Sequence, residues 1–223
     1  MVKKLLYGIG FLFLVSLAGT IFVVRSLVKD AEEGKRILVQ QELKIRSLEK
    51  GTPWMDRYLK VVEHLSVVGA GKMSSREIVD VAQVICEECA ANKEIGLTED
   101  KIFALIEMES GFDPKALSVA NAYGLTQCLE YVFDLYLPSM GFPKFSKHLA
   151  YNPVINAKVG IEELKRLRRM WLSEGIDSWE VAFTSYYWGE RATWSIIAGR
   201  REKPDFDYGK GVIRLMEKWR EKL

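Results

Sequence analysis

The stretch from 101 to 127 reads KIFALIEMESGFDPKALSVANAYGLTQ, and it places an acid where a helix face is otherwise apolar. Three aliphatic residues recur at the spacing of one helix face, namely Ile102, Leu105 and Ile106. The next position along the same face is Glu109. The pattern therefore predicts a helix that turns a carboxyl group toward the protein interior.

Both ends of this helix are marked in the sequence. Thr98 suits the N-cap, because its hydroxyl can accept a hydrogen bond from a free backbone N–H. Gly111 suits a left-handed C-cap, and Pro114 cannot continue a helix. Glu109 is thus expected in the last helical turn, and the long loop at 118–127 is expected to leave a groove over it.

A carboxyl group in an apolar wall is a candidate general acid. Burial disfavours the charged form, so the pKa of Glu109 should rise from about 4.3 toward neutrality. A general acid needs a pKa in that range. An inward-facing glutamate can instead be paired with a cation or reach the rim of the protein, and spacing alone leaves both interpretations open.

The residues that follow the acid form a longer motif. Its members are Glu109-Ser110-Gly111-Phe112, Pro114, Ala116, Ser118, Ala122, Gly124-Leu125 and Gln127. This motif resembles the signature of the lytic transglycosylase SLT domain, a relative of goose-type lysozyme. Asp113, Asn121 and Thr126 stand where that family usually has Asn, Gly and Met. Position 121 is a mild departure, because Asn tolerates the left-handed backbone conformation better than most residues.

Two later motifs follow in the order that the family has. The first comprises Asn152-Pro153, Asn156, Gly160 and Leu164, with Ala157 and Glu163 in place of Ile and Tyr. The second comprises Ala182 and the run SYYWG at 185–189, and it resembles A-x-x-A-Y-N-A-G. Tyr186 matches the family tyrosine, whereas Tyr187 and Trp188 stand where Asn and Ala are usual. The resemblance extends from Ser75 to Trp219.

The resemblance implies an all-α, lysozyme-like domain with a catalytic cleft and peptidoglycan glycan strands as substrate. It implies non-hydrolytic cleavage of the β-1,4 bond between N-acetylmuramic acid and N-acetylglucosamine, with a 1,6-anhydro product. Glu109 would be the single general acid and base, and the hydroxyl of Tyr186 would stabilise the oxocarbenium-like centre or Glu109 itself. The expected substrate-binding residues are Ser118, Gln127, Tyr186, Tyr187 and Trp188. No metal or organic cofactor is implied.

Two other functions remain open at this point. A lysozyme-type muramidase on the same scaffold would hydrolyse the bond, with Asp113, Glu130 or Asp134 positioning a water molecule. A non-catalytic wall-binding component of an assembly would keep the fold without the chemistry. The altered residues Tyr187 and Trp188 favour this third function.

Residues 5–24, LLYGIGFLFLVSLAGTIFVV, form an uncharged run that is long enough to cross a hydrocarbon core of about 30 Å. Lys3 and Lys4 precede it, which predicts a cytoplasmic N-terminus and a catalytic domain on the periplasmic or outer side. A cleaved signal peptide is the alternative, although no clean A-x-A site follows the run. The expected partners are the lipid bilayer and proteins of an envelope-spanning machine or a virion.

Three segments are predicted along the chain: a transmembrane anchor at 1–25, a helical stalk or linker at 26–72 and the SLT-type domain at 73–223. One helix of the linker has an apolar face that is expected to pack on the domain, formed by Met55, Tyr58, Leu59, Val62 and Leu65. A capping box, Ser74 with Glu77, opens the domain. Further helical patterns occur at 155–172, 178–189 and 210–222.

The net charge of +2 gives no general case for a polyanionic partner. A basic cluster is formed by Lys165, Arg166, Arg168 and Arg169. Glu162 and Glu163 precede it by one turn, which indicates a solvated helix face and not a nucleic-acid site.

The cysteines do not form a legible metal site. Cys86 and Cys89 make a C-x-x-C pair within a helical pattern, but four zinc ligands are not recognisable. They are expected to be small buried apolar residues. A disulfide from Cys128 to either of them stays open, because the domain is expected outside the cytoplasm.

Overall fold

The structure is a computed structural model and describes residues 53–200 and 206–223. The predicted membrane span at 5–24 and the part of the linker before residue 53 lie outside the described residues. Among the helices that are described, none combines the length and the hydropathy needed to cross a bilayer. All described residues fall within one compact unit.

The described residues form α-helices joined by loops and two 3₁₀ turns. In chain order the helices are α1 (Pro53–Val68), α2 (Ser75–Ala91), α3 (Glu99–Ser110), α4 (Glu130–Tyr136), α5 (Lys147–Ala150), α6 (Pro153–Ser173), α7 (Trp179–Trp188), α8 (Glu190–Ile197) and α9 (Asp207–Arg220). No β-strand occurs in this part of the chain, so the all-α prediction is confirmed. The three later helical patterns correspond to α6, α7 and α9, whereas the short helices α4, α5 and α8 have no clear pattern in the sequence.

Helix α3 is the centre of the fold. Its residues 102–106 are fully buried, and α9 packs along it. The predicted apolar face is only part of this buried surface, because Phe103 and Ala104 lie off that face and are equally buried. A helix surrounded by neighbours needs apolar residues on all sides, and α3 has them over residues 102–106, between a polar first turn and the turn that carries Glu109.

The predicted helix ends are confirmed. Thr98 is the N-cap of α3, although its hydroxyl accepts a hydrogen bond from Nζ of Lys101 at 2.8 Å and does not cap a backbone N–H. Gly111 ends the helix with a left-handed φ of 57°. At the start of α2 the capping box is present, since the backbone N–H of Ser74 donates to the Glu77 carboxylate at 2.7 Å.

Helix α1 packs against α2, which confirms that its apolar face is directed at the domain. The buried residues of α1 are Met55, Tyr58, Val61, Val62 and Leu65. The sequence predicts this helix as part of the linker, and in the structure it covers one side of α2.

Two cations of α6 are buried, contrary to the predicted solvated face. Lys165 lies 2.7 Å from a carboxylate oxygen of Glu88 and 2.7 Å from one of Glu162. Arg168 donates to Asp177 and, at 3.2 Å, to a backbone carbonyl of the 3₁₀ turn after α2. The prediction is wrong at these positions because α2 and that turn cover this side of α6.

The three cysteines are buried free thiols. Burial raises the pKa of Cys86 and of Cys128 to about 12, and it raises the pKa of Cys89 still further. They therefore behave as small buried apolar residues, and the possible disulfide of Cys128 is not formed.

Candidate active site

A cleft of about 560 Å³ opens beside the C-terminal end of α3. Its walls come from the loop between α3 and α4, from the C-terminal end of α7 and from parts of α4, α6 and α8. All six residues predicted for the site line this cleft, namely Glu109, Ser118, Gln127, Tyr186, Tyr187 and Trp188. The fold thus brings together residues from two motifs that are far apart in the sequence.

Glu109 is partly buried in the last turn of α3. The hydroxyl of Tyr208 donates a hydrogen bond to its carboxyl oxygen Oε1. Burial raises the pKa of Glu109 to about 7, and this hydrogen bond limits the rise. Burial and the adjacent carboxyl keep the pKa of Tyr208 well above its usual range, so the phenol retains its proton. At neutral pH a substantial fraction of Glu109 is therefore protonated and can serve as an acid.

Tyr208 reaches this carboxyl because α9 packs along α3 and also approaches α7 closely. A Cβ atom at Gly209 would lie 2.4 Å from the carbonyl oxygen of Glu180, so only glycine permits this approach. The ring of Tyr208 also stacks on Tyr187, with centroids 4.5 Å apart and an interplanar angle of 11°. The position of the hydroxyl is thus set by helix packing and by a neighbouring ring.

The loop between α3 and α4 is held in shape by its own polar side chains. Oγ of Ser118 accepts a hydrogen bond from the backbone N–H of Ala122 at 3.0 Å. The side-chain nitrogen of Gln127 donates to the carbonyls of Ala116 at 3.2 Å and Gly124 at 2.9 Å. Both residues therefore support the wall of the cleft from within the loop.

A buried asparagine fastens this loop to α6. Oδ1 of Asn156 accepts hydrogen bonds from the backbone N–H of Thr126 at 2.9 Å and from its hydroxyl at 2.8 Å. Nδ2 of Asn156 donates to the carbonyls of Tyr123 at 2.7 Å and Ala150 at 2.8 Å. Thr126, which stands where the related family has Met, is fully buried, and Asn156 satisfies its hydroxyl.

Tyr186 lines the cleft, and its hydroxyl is bonded to the loop between α3 and α4. This hydroxyl donates to the carbonyl of Thr126 at 2.9 Å and lies 3.1 Å from Sγ of Cys128. Burial holds the pKa of Tyr186 well above its usual range. The resemblance implies that Tyr186 stabilises Glu109 or the sugar centre, but the hydroxyl bonded to Glu109 in the structure is that of Tyr208.

Three further charged residues line the cleft and are bonded to one another. Arg166 donates to both carboxylate oxygens of Glu163, at 2.7 and 2.9 Å, and to Glu190 at 2.5 Å. Glu163 also accepts a hydrogen bond from the hydroxyl of Tyr136 at 2.8 Å. Both carboxylates are therefore engaged by a single guanidinium group.

The carboxyl groups considered for positioning a water molecule lie elsewhere. Asp113 accepts a hydrogen bond from the backbone N–H of Lys115 at 2.8 Å, and Asp134 accepts one from that of Phe145 at 2.7 Å. Neither of these aspartates, nor Glu130, is among the residues that line the cleft.

The profile of the transglycosylase SLT domain matches residues 88–208, more than half of the chain. The chain belongs to the transglycosylase SLT domain family. The matched range contains the acid, the loop that walls the cleft and Tyr208. No curated protein matches the chain.

Two solved structures are similar to this SLT chain in fold. One is an inactive mutant of the lytic transglycosylase Slt from Pseudomonas aeruginosa, with a TM-score of 0.53, 18% identity, and coverage of 75% of this chain and 28% of that one. The other is the 70 kDa soluble lytic transglycosylase of Escherichia coli, with a TM-score of 0.50, 12% identity, and coverage of 75% and 30%. The chain thus corresponds to less than a third of either protein.

In the SLT site, the residue bonded to the acid, Tyr208, is not predicted from the sequence. The helical pattern predicts α9 only from residue 210, so Tyr208 falls just before it and receives no role. The pair Tyr208-Gly209, an aromatic ring beside a residue that permits close packing, is the signal that points to it. Its contact with Glu109 joins residues 99 positions apart, and spacing within one helix does not reveal such a pair.

Proposed function

We propose that this SLT domain is a peptidoglycan lytic transglycosylase that cleaves the β-1,4 bond between N-acetylmuramic acid and N-acetylglucosamine. Glu109 acts as the single general acid and base, and the product carries a 1,6-anhydro end. The observation that supports this proposal is a partly buried carboxyl, with a pKa of about 7, at the side of a cleft in a domain of this family.

The proton moves in two steps. Protonated Glu109 gives its proton to the glycosidic oxygen, and the bond from that oxygen to C1 of the muramic sugar breaks. The carboxylate then takes the proton of the C6 hydroxyl as that oxygen bonds to C1 and closes the anhydro ring. The hydroxyl of Tyr208 donates to the carboxyl and so stabilises the carboxylate formed between the steps. No water is consumed, and Glu109 is protonated again at the end of the reaction.

The other charged groups of the cleft favour this chemistry over hydrolysis. Hydrolytic glycosidases usually employ two carboxyl groups, the second acting as a nucleophile or activating water. Both carboxylate oxygens of Glu163 and one of Glu190 accept hydrogen bonds from Arg166, so the guanidinium group occupies these oxygens. The aspartates considered for this task lie outside the cleft.

Aromatic rings at the cleft offer surfaces for sugar binding. Tyr187 is 54% exposed and Trp188 is 44% exposed, although both are large rings. Apolar faces of sugars stack on such rings, so these two residues are proposed to bind the glycan. Ser118 and Gln127 are proposed to act indirectly, by holding the loop against which the strand lies.

The test is the chemistry of the products. The full chain and its Glu109→Gln variant are incubated with purified peptidoglycan, and the released muropeptides are analysed by mass spectrometry. Products with anhydro ends, formed by the parent and absent with the variant, are the expected result. Products with reducing ends would replace this proposal by a muramidase, and equal release by parent and variant would remove Glu109 from the chemistry. No release by the parent would favour a wall-binding role.

We also propose that residues 5–24 anchor the chain in a membrane, with the N-terminus in the cytoplasm and the SLT domain on the periplasmic or outer side. The support is the uncharged run and the lysines before it. Fusion of alkaline phosphatase after residue 52 is expected to give periplasmic activity in the membrane fraction. A processed N-terminus, seen by intact mass, would show a signal peptide and overturn the anchor.

A further inference from the structure

The acid of the cleft is connected to the cleft surface through a series of aromatic contacts. Tyr208 donates to Glu109, and its ring stacks on Tyr187 at 4.5 Å between centroids. Trp188 meets the Tyr187 ring edge-on at 4.7 Å. Tyr187 therefore lies between Tyr208, whose hydroxyl contacts the acid, and the exposed ring of Trp188. The family motif that this segment resembles usually has Asn at this position, so the motif itself does not supply the ring of the stack.

Tyr208 needs such a neighbour because of where it lies. It is the second residue of α9, in the first helical turn, where the backbone N–H groups lack partners within the helix. Its phenol group can turn about the side-chain bonds unless packing fixes it. Gly209 brings the backbone close, but a glycine provides no side chain to restrain the neighbouring ring. The nearly parallel face of Tyr187 supplies that restraint.

We propose that Tyr187 is a positioning residue for the acid: its ring holds Tyr208 in the orientation that keeps the hydroxyl on Glu109. Tyr187 acts through Tyr208 and needs no contact of its own with the carboxyl. The importance of Tyr187 to catalysis rests on the proposed function of Glu109. The effect of Tyr187 on the hydrogen bond between Tyr208 and Glu109 can be tested without substrate.

The protonation of Glu109 reports on this contact. The titratable groups that face it are Tyr208 from α9, Tyr186 from α7 and Cys128 from the loop. All three are neutral near pH 7, because burial raises the pKa of each one. Burial raises the pKa of Glu109 as well, and only the Tyr208 hydrogen bond opposes that rise. Loss of the hydrogen bond should therefore raise the pKa of Glu109, whereas entry of water should lower it.

The experiment follows the Glu109 carboxyl carbon by ¹³C NMR as a function of pH in the full chain without substrate, with Glu109→Gln to assign the signal. Tyr208→Phe removes the donor and is expected to raise the pKa of Glu109 by about one unit. Tyr187→Asn and Tyr187→Leu remove the stacked ring and are expected to raise it in the same direction, whereas Tyr187→Phe keeps the ring and should leave it unchanged. Two Tyr187 variants are used so that one folding failure does not decide the matter.

Two controls separate positioning from general loss of an aromatic ring. Tyr131 lines the same cleft, is 68% exposed and makes no ring contact with Tyr208 among the described residues. Tyr131→Asn should therefore not move the pKa of Glu109. In the Tyr208→Phe background, Tyr187→Asn should add no further shift, because the hydroxyl through which it acts is already gone.

An unchanged or lowered pKa in Tyr187→Asn and Tyr187→Leu would overturn the proposal, since the ring would then serve only to exclude water or not at all. A shift that adds fully to that of Tyr208→Phe would also overturn it. These outcomes do not depend on glycan cleavage. If the chain released no anhydro products, the titration would still decide the role of Tyr187, and the two failures are thus distinguishable.

Discussion

At the scale of single residues, the neutral-range pKa of Glu109 ties the reaction to pH. The reaction needs the protonated acid, and the pKa of the free enzyme is raised by burial to about 7. We therefore expect kcat/KM for glycan cleavage to fall about tenfold per pH unit above pH 7. Initial rates between pH 5 and pH 9, measured with soluble glycan fragments, check this. A rate that stays constant up to pH 9 would contradict an acid with this pKa.

The same carboxyl makes stability depend on pH. Its pKa is about 7 in the folded chain and 4.5 as the reference value for an unfolded chain. The contribution of the neutral Glu109 carboxyl to the free energy of unfolding is fully present below pH 4.5 and is lost as the pH rises through 7. This is because the carboxyl ionises at a lower pH in the unfolded chain than in the folded chain. Glu109→Gln should therefore stabilise the protein by about 2 to 3 kcal/mol at pH 8 and by little at pH 4. Urea unfolding at both pH values tests this, and equal effects would contradict it.

A site residue can be predicted from the sequence when its environment is visible in the local sequence pattern. This is so for Glu109, because it interrupts an apolar stripe of one helix. It is not so for Tyr208, because its role depends on how α9 packs against α3 and α7, and no local sequence pattern encodes that packing. The prediction that Lys165 is solvated is wrong for a related reason. Its predicted partner Glu162 does pair with it, but Glu88 from another helix also pairs with Lys165, and Lys165 is buried there.

At the scale of elements, the packing of α9 against α7 is expected to control the site. Gly209→Ala would place a Cβ atom 2.4 Å from a backbone oxygen of Glu180, which cannot give way easily. The resulting shift of α9 should cost about 1 to 3 kcal/mol of stability and should move Tyr208 away from Glu109. We expect at least a tenfold loss of activity, measured on purified peptidoglycan beside thermal unfolding.

Gly211 provides the matched control on the same helix. A Cβ atom there would lie 2.7 Å from Cε of Met108, the mobile end of a flexible side chain that is 36% exposed. Gly211→Ala should be tolerated, and the better helix propensity of alanine should stabilise α9 by up to about 1 kcal/mol. Equal losses in both variants would show that α9 tolerates no methyl group anywhere and that the approach to α7 is not special.

The attachment of the cleft loop to α6 can be tested in the same manner. Asn156→Ala removes four hydrogen bonds and leaves buried backbone groups of the loop without partners, which should cost about 3 to 5 kcal/mol. Asn152→Ala, in the same helix, removes only an N-cap and should cost about 1 kcal/mol. Urea unfolding measures both, and a similar cost for the two would contradict the fastening role of Asn156.

Whether a helix can be predicted from the sequence depends on the length of its apolar pattern. The helices α2, α3, α6, α7 and α9 have caps or sustained apolar spacing and are predicted. The helices α4, α5 and α8 have eight residues or fewer, so they complete only about one to two turns and leave no periodic signal. The loop between α3 and α4 is predicted as a groove-forming segment, but its attachment through Asn156 needs the structure, since the partners lie 30 residues apart.

At the scale of the whole molecule, the boundary of the folding unit has measurable consequences. The sequence places the domain at 73–223, whereas the compact unit of the structure includes α1. Tyr58, Val61 and Leu65 of α1 are almost completely buried, so a chain without α1 exposes the side of α2 that they cover.

A fragment of residues 53–223 is therefore expected to unfold cooperatively, and a fragment of residues 73–223 should be less stable by about 3 to 6 kcal/mol or should aggregate. Urea unfolding of the two fragments compares them, and a variant of the longer fragment with the exposed Val67 changed to Ser serves as a control that should unfold like its parent. If both fragments unfolded at the same urea concentration, α1 would contribute nothing to the domain, and the boundary from sequence would stand.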